Sequence, residues 1–128
     1  AYFLNLDQQK RMKKAKAGKQ INRTAKNGHK YKYREGCMSY PENINSPGRT
    51  MLTSEGTINR STHVVKDDKT GKIRFITPIE AERLNGFPDN WTIGMTDRQR
   101  FFCMGNALVT GIITDIGREL YHRIDSSN

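Results

Sequence analysis

Two cysteines are the only thiols in this 128-residue chain, so thiolate chemistry is the first reactivity to weigh. Cys37 lies in Glu35-Gly-Cys-Met38, a loop setting, and Cys103 in Phe101-Phe-Cys-Met104, where a thiol behaves as a small buried apolar residue. Neither is read as a nucleophile. The three histidines, His29, His63 and His122, have no metal-ligand spacing among themselves or with the cysteines, and no zinc site is expected. What remains is charge. The formal net charge is +9, and half of the 22 lysines and arginines fall between Lys10 and Arg34, where Asp7 is the nearest acid. Cations spread along a polar frame neutralise phosphates and give binding that weakens steeply with salt. Lys30, Lys32 and Arg34 alternate with Tyr31 and Tyr33, which on a strand places cations on one face and aromatics on the other.

The elements that position such groups are legible in outline. Leu6 to Lys16 reads as a helix, while Gly18, Asn22, Asn27 and Gly28 interrupt any longer one. Val64-Val65 and Ile73 to Ile76 flank Asp67-Asp-Lys-Thr-Gly71, a hairpin signal. Thr77-Pro78-x-Glu80 is a capping box with proline at the first helical position, predicting a two-turn helix with Ile79 and Leu84 toward the core and Gly86 as its cap. Phe87-Pro88-Asp89 turns the chain, and Trp91 is expected to anchor the following loop on the core. A second box, Thr96-x-x-Gln99, opens a helix through Phe101, Phe102 and Met104 that Gly105 is expected to end. Leu108, Ile112, Ile113, Ile116 and Leu120 then recur at helical spacing, with Thr114, Asp115, Arg118 and Glu119 opposite, the pattern of an amphipathic closing helix.

The spelling of the second half carries more. Arg74-Phe-Ile-Thr-Pro-Ile-Glu-Ala-Glu-Arg-Leu-Asn-Gly-Phe-Pro88 resembles the ninth motif of DNA cytosine-5 methyltransferases at Arg74, Thr77, Glu80, Arg83, Leu84, Gly86, Phe87 and Pro88, with Ile76 where leucine is usual. Gly105, Asn106, Ala107, Val109 and Ile116 resemble the final motif, with Leu108 in the usual valine place. The resemblance implies a last helix that returns to a large domain binding S-adenosylmethionine, with Phe87, Asn106, Ala107 and Leu108 at the cofactor. Asn106 follows a glycine at an expected helix start, so it reads as an N-cap, as a cofactor contact, or as both. In the family, a threonine followed by an apolar residue stands near the extruded cytosine, and Thr50-Met51 resembles that pair. Around it Arg49, Ser54, Asn59, Arg60, Ser61, Thr62 and His63 are polar groups able to read base edges, arginine on guanine and asparagine on adenine.

The resemblance also implies what should be elsewhere. Such enzymes attack cytosine C6 with the thiolate of a Pro-Cys dipeptide, beside the glutamate of a Glu-Asn-Val segment. Neither cysteine here follows a proline, Glu42-Asn43-Ile44 has no Pro-Cys upstream and reads as a coincidence, and no Phe-x-Gly-x-Gly cofactor loop occurs.

The expected fold class is therefore α+β. A small, irregular, strand-rich target-recognition region with short helices, residues 1–73, precedes a helical segment, residues 74–128, whose amphipathic helix packs on an S-adenosylmethionine-binding α/β domain outside this sequence. The expected function is the recognition part of a DNA (cytosine-5-)-methyltransferase, inactive alone, binding duplex DNA through Lys30, Lys32, Arg34, Arg49, Thr50, Met51, Asn59 and Arg60, and partnered by a catalytic domain or subunit. A free-standing DNA- or RNA-binding basic module without enzymatic activity is the alternative. Two unpaired-looking cysteines and the lack of a long apolar run or secretory signal point to a reducing cytoplasm and away from a membrane, with bacterial or phage origin expected from the family.

Overall fold

Asn5 starts the first helix. Its side chain accepts the Gln8 N–H at 2.8 Å while the Gln8 amide oxygen accepts the Asn5 N–H at 2.9 Å, a reciprocal cap for α1, Leu6–Lys16. In this computed structural model, which describes residues 2–126, α1 buries Met12 and Lys16 and leaves its other side to solvent. Two strands follow, β1 (Lys19–Thr24) and β2 (Lys30–Glu35), paired antiparallel in the register Gln20↔Arg34, Asn22↔Lys32 and Thr24↔Lys30. β1 was not legible. Lys-Gln-Ile-Asn-Arg-Thr holds one apolar residue and no alternation, and it is extended because β2 supplies its hydrogen bonds.

After an irregular stretch come β3 (Val64–Lys66) and β4 (Ile73–Phe75), the hairpin expected from the sequence. Asp67 closes its turn, the carboxylate accepting the Thr70 N–H at 2.9 Å and the Thr70 hydroxyl at 2.7 Å. Single bridges widen this sheet on both edges, Phe3 against Arg74 and Glu42 against Val65.

Arg74 then fastens β4 to α2, Pro78–Leu84. Its guanidinium donates to both oxygens of Glu80, each at 2.8 Å, while the same carboxylate accepts the Thr77 N–H at 2.7 Å and Thr77 caps the helix. Helix α3, Asp97–Asn106, begins at the Thr96–Gln99 box, and α4 runs Thr110–Asp125. The α+β class stands, with short helices and two small antiparallel sheets. One apolar cluster joins Leu4, Met12 and Val64, and a second joins Met51, Ile76, Ala81, Phe101 and Met104. The second cluster takes Met51 from the first 73 residues and the rest from beyond them, so both regions share this core.

Several local expectations are corrected. Gly105 does not end α3, which continues to Asn106, with Ala107 as C-cap. Asn106 therefore stands at a helix end, not at a helix start; α4 is capped by Val109 without any side-chain hydrogen bond. Trp91 does not anchor its loop on the core: it is 63% exposed and rests only its ring on Phe87, 5.9 Å between centroids. Leu84 is exposed as well, and Cys103 is only partly buried. Helix α4 buries no residue along its length, and Ile112, Ile113, Ile116 and Leu120 all face solvent.

Candidate nucleic-acid and cofactor interface

The loop carrying Thr50 and Met51 crosses α3 at Gly105. A Cβ at that position would lie 2.3 Å from Thr53 N and 2.4 Å from Leu52 C, so only glycine lets the two backbones approach this closely. The approach puts Gly48, Arg49, Thr50 and Met51 on one wall of a cleft of about 480 Å³. Leu84, Asn85, Met104, Gly105, Ala107 and Leu108 form much of the other wall, and Ile112 and Ile113 of α4 reach its edge. The Thr50-Met51 pair and Gly105, Ala107 and Leu108, with 54 positions from Met51 to Gly105, thus share one concavity.

Asn85 is the pivot of that wall. Its buried side-chain amide donates to Ala81 O at 3.3 Å and Met104 O at 3.1 Å, and its own carbonyl accepts the Thr110 N–H at 2.9 Å, tying α2, α3 and α4 together. Glu82, fully buried on the same helix, accepts from the backbone of Asn90 and Thr92, from the Thr92 hydroxyl, and from Arg100 at 2.9 Å. Burial alone would raise its pKa, but the Thr92 and Arg100 hydrogen bonds prevail and lower it to about 2. Arg83 meets Asp89 through two hydrogen bonds, at 2.7 and 2.5 Å, at the exposed corner.

Beneath the opposite wall, Glu42 gathers cations. Lys16 donates to it at 3.0 Å, Arg49 holds both its oxygens, and His63 Nε2 lies 3.9 Å away. Burial would raise the Glu42 pKa, yet the hydrogen bonds from Arg49 and Lys16 keep the carboxyl below its ordinary value. Burial dominates at Lys16 and lowers its pKa despite the same partner. Buried Glu55 takes the His63 N–H at 2.7 Å and pairs with Nδ1 at 2.9 Å. Glu42, a coincidence as a motif, is thus the charge centre that holds Arg49 beside Thr50.

The remaining expected residues fall into two groups. Lys30, Lys32 and Arg34 stand exposed on one face of β2. Arg60 and Asn59 are turned into the protein: Arg60 donates to Gly36 O at 2.5 Å and Ala17 O at 3.4 Å, bracing the two ends of the β1–β2 hairpin. Asn59 donates to Ser54 and Thr57 and accepts the N–H groups of Ser61 and Thr62, organising its own loop. Among the cofactor candidates, Ala107 and Leu108 line the cleft, while Phe87 packs on the second cluster and Asn106 donates to Phe102 O at 3.1 Å. Asn85, Glu82 and Arg100 were not singled out from the sequence. A polar residue inside a helical apolar pattern was the available signal, but their partners lie on other elements.

Among the described residues, no group of three or more His, Cys, Asp or Glu side chains is arranged to hold a metal ion, and no helix is long and apolar enough to cross a membrane.

Residues 3–122 match the family of C-5 cytosine-specific DNA methylases. The chain is 54% identical over 125 residues, 98% of its length, to the type II methyltransferase M.Sau3AI of Staphylococcus aureus, of which it covers 30%. It is 32% identical over 84 residues to M.SsoII of Shigella sonnei, and 31% identical over 80 residues to M.MspI of Moraxella sp, covering 66% and 62% of this chain. Those stretches are 22% and 19% of the two relatives. No solved structure matches. The chain spans less than a third of the length of these relatives, and by the family match over residues 3–122 and this identity it belongs to the C-5 cytosine-specific DNA methylase family.

Proposed function

We propose that this chain is the target-recognition and C-terminal part of a DNA (cytosine-5-)-methyltransferase: it selects the duplex and completes the cofactor side of the site, while a catalytic region carried elsewhere supplies the nucleophile. The observation that carries this reading is the cleft in which Thr50 and Met51 meet Ala107 and Leu108. A residue pair suited to the extruded base and a segment suited to the cofactor share a concavity that is open beside an unpartnered helix. Bound S-adenosylmethionine would supply the methyl group. Ala107 and Leu108 would form its edge in the cleft, and Phe87 and Asn106 would serve from beside it, with most of the cofactor held by the partner region.

The exposed apolar stripe of α4 is the docking face for that region. Ile112, Ile113, Ile116 and Leu120 lie on it, at 45% exposure or more, and a stripe of this extent calls for cover. Lys30, Lys32 and Arg34 contact phosphates, exposed Thr50 faces the target base with Met51, anchored in the second apolar cluster, forming the cleft floor beneath it, and Arg49, Asn59 and Arg60 shape the surface from which these reach. Neither cysteine follows a proline, and Cys37 is exposed at the surface. The compartment that fits is the bacterial cytoplasm, on the chromosome.

The test is binding of the full chain to a pool of randomised DNA duplexes across a range of salt. Preference for one short sequence together with a steep salt dependence supports the reading. Equal binding to DNA, RNA and unrelated polyanions overturns it in favour of a general basic module.

A further inference from the structure

The β1–β2 hairpin has two chemically different faces. The register puts Lys19, Ile21 and Arg23 on one side with Glu35, Tyr33 and Tyr31 opposite them. That side is occupied with its own contacts. Arg23 lies 4.1 Å over the Tyr33 ring, the Tyr33 hydroxyl donates to Glu35 at 2.6 Å, and Lys19 pairs with Glu35 at 3.1 Å. The other side carries Gln20, Asn22 and Thr24 from β1, paired across with Arg34, Lys32 and Lys30. All six are exposed, and among the described residues none has a side-chain hydrogen bond or ion pair.

This second face is an unusual composition for a surface strand pair. One edge is a row of three cations with no acid among them, and the other is a row of two amides and a hydroxyl. The hairpin's only acid, Glu35, stands on the opposite face and is already paired. Cations suit phosphates and guanine, and an amide can bond adenine bidentately through N6 and N7. A two-stranded ribbon with its strands about 5 Å apart fits a B-form major groove about 12 Å wide. The hairpin is also held for the task at its root. Arg60 joins Ala17 O to Gly36 O across the two chain ends, and the Met38 N–H donates to Lys16 O at 2.9 Å.

We propose that the β1–β2 ribbon enters the major groove of the target duplex with this face inward, so that Gln20 and Asn22 read base edges directly while Lys30, Lys32 and Arg34 set the register. Arg60 is a positioning residue, fixing the ribbon's angle without touching DNA. The proposal rests on the reading that the chain binds duplex DNA sequence-specifically.

The experiment selects preferred sites from randomised duplexes with the full chain, its Gln20→Ala and Asn22→Ala variants, and Lys32→Ala. Circular dichroism and thermal midpoints of the two amide variants should equal those of the parent, since both side chains are exposed and unpaired. Each amide variant is expected to lose discrimination by about tenfold at one or two positions of the selected site while keeping the salt slope, because it gives up base contacts and no phosphate. Lys32→Ala is expected to weaken binding to all sequences and lower the salt slope by about 1. Duplex RNA of the selected sequence should not compete, because its major groove is too narrow to admit the ribbon. If the parent selects a site and both amide variants select the same site with unchanged stringency, the ribbon proposal fails while the recognition reading stands. If the parent selects no site, both fail together.

Discussion

Gly86 and Thr110 are fitted to each other across 24 residues of sequence: the Thr110 hydroxyl donates to Gly86 O at 2.9 Å, and a Cβ on Gly86 would sit 2.4 Å from that hydroxyl oxygen. Gly86 also holds φ at +77°, the left-handed region. The glycine of the ninth motif is thus where α4 is attached, and the geometry fixes how the exposed helix leaves the body of the chain. Gly86→Ala is expected to destabilise the chain by about 1–3 kcal/mol, through backbone strain together with the displacement of Thr110. Thr110→Val, which removes only a partly solvated hydrogen bond, is expected to cost about 1 kcal/mol or less. Chemical denaturation of the two variants checks the order; equal losses contradict it.

Asn85 gives a sharper contrast. Its amide feeds two carbonyls from a buried position, so Asn85→Ala leaves both short of a donor and is expected to cost about 1–3 kcal/mol. Asn85→Asp preserves shape but points a carboxylate at the same two oxygens, and at neutral pH it should be the more damaging change. Urea midpoints at pH 7 and pH 4 measure both. The gap between the two variants should narrow at the lower pH as the new carboxyl takes up a proton.

Glu82 predicts the acid limb of stability. Its pKa in the folded chain is about 2, below the ordinary 4.5, so the unfolded state binds the proton more readily. The stabilisation is complete above about pH 4.5 and is lost progressively as pH falls toward 2. Glu42 and Glu80 shift in the same direction and steepen the loss. Glu82→Gln should lower stability at pH 7 and flatten the slope between pH 4.5 and 2, as thermal midpoints against pH would show. An unchanged slope would mean that the buried cluster around Arg100 is not what acid titrates.

Docking of α4 is testable without DNA. Ile116→Lys with Leu120→Lys places two charges on the exposed stripe, at positions that do not line the cleft, so the thermal midpoint of the chain should stay within about 1 kcal/mol equivalent of the parent. Association with the rest of the S. aureus relative, measured by sedimentation, should be abolished. Retained association would remove α4 as the docking face.

The contrast between what the sequence shows and what it hides follows the range of the interactions. The boxes at Thr77–Glu80 and Thr96–Gln99 close within one turn, so four letters suffice to announce each, and both helices begin where those letters place them. The β3–β4 hairpin is likewise local, with its turn built on Asp67 and Thr70. Asn85, Glu82 and Glu42 act through partners on other elements, such as Met104, Arg100 and Lys16, and no spacing rule reveals them. Asn106 was misplaced at a helix start for a related reason: Gly105 reads as a helix end in isolation, but here it is kept helical so that Leu52 and Thr53 can lie against it. Family spelling located the cleft more closely than periodicity did, because the matched letters Gly105 and Gly86 mark the tight contacts that shape its wall and attach α4.

The central claim, that this chain selects DNA and does not itself perform the transfer, is tested most directly by following labelled methyl groups from S-adenosylmethionine into duplex DNA. The chain is assayed alone, the portion of the S. aureus relative that it does not span is assayed alone, and the two are then mixed. No transfer by either part and transfer by the mixture is the predicted result. Turnover by this chain alone contradicts the claim, as does a mixture no more active than the relative's portion by itself.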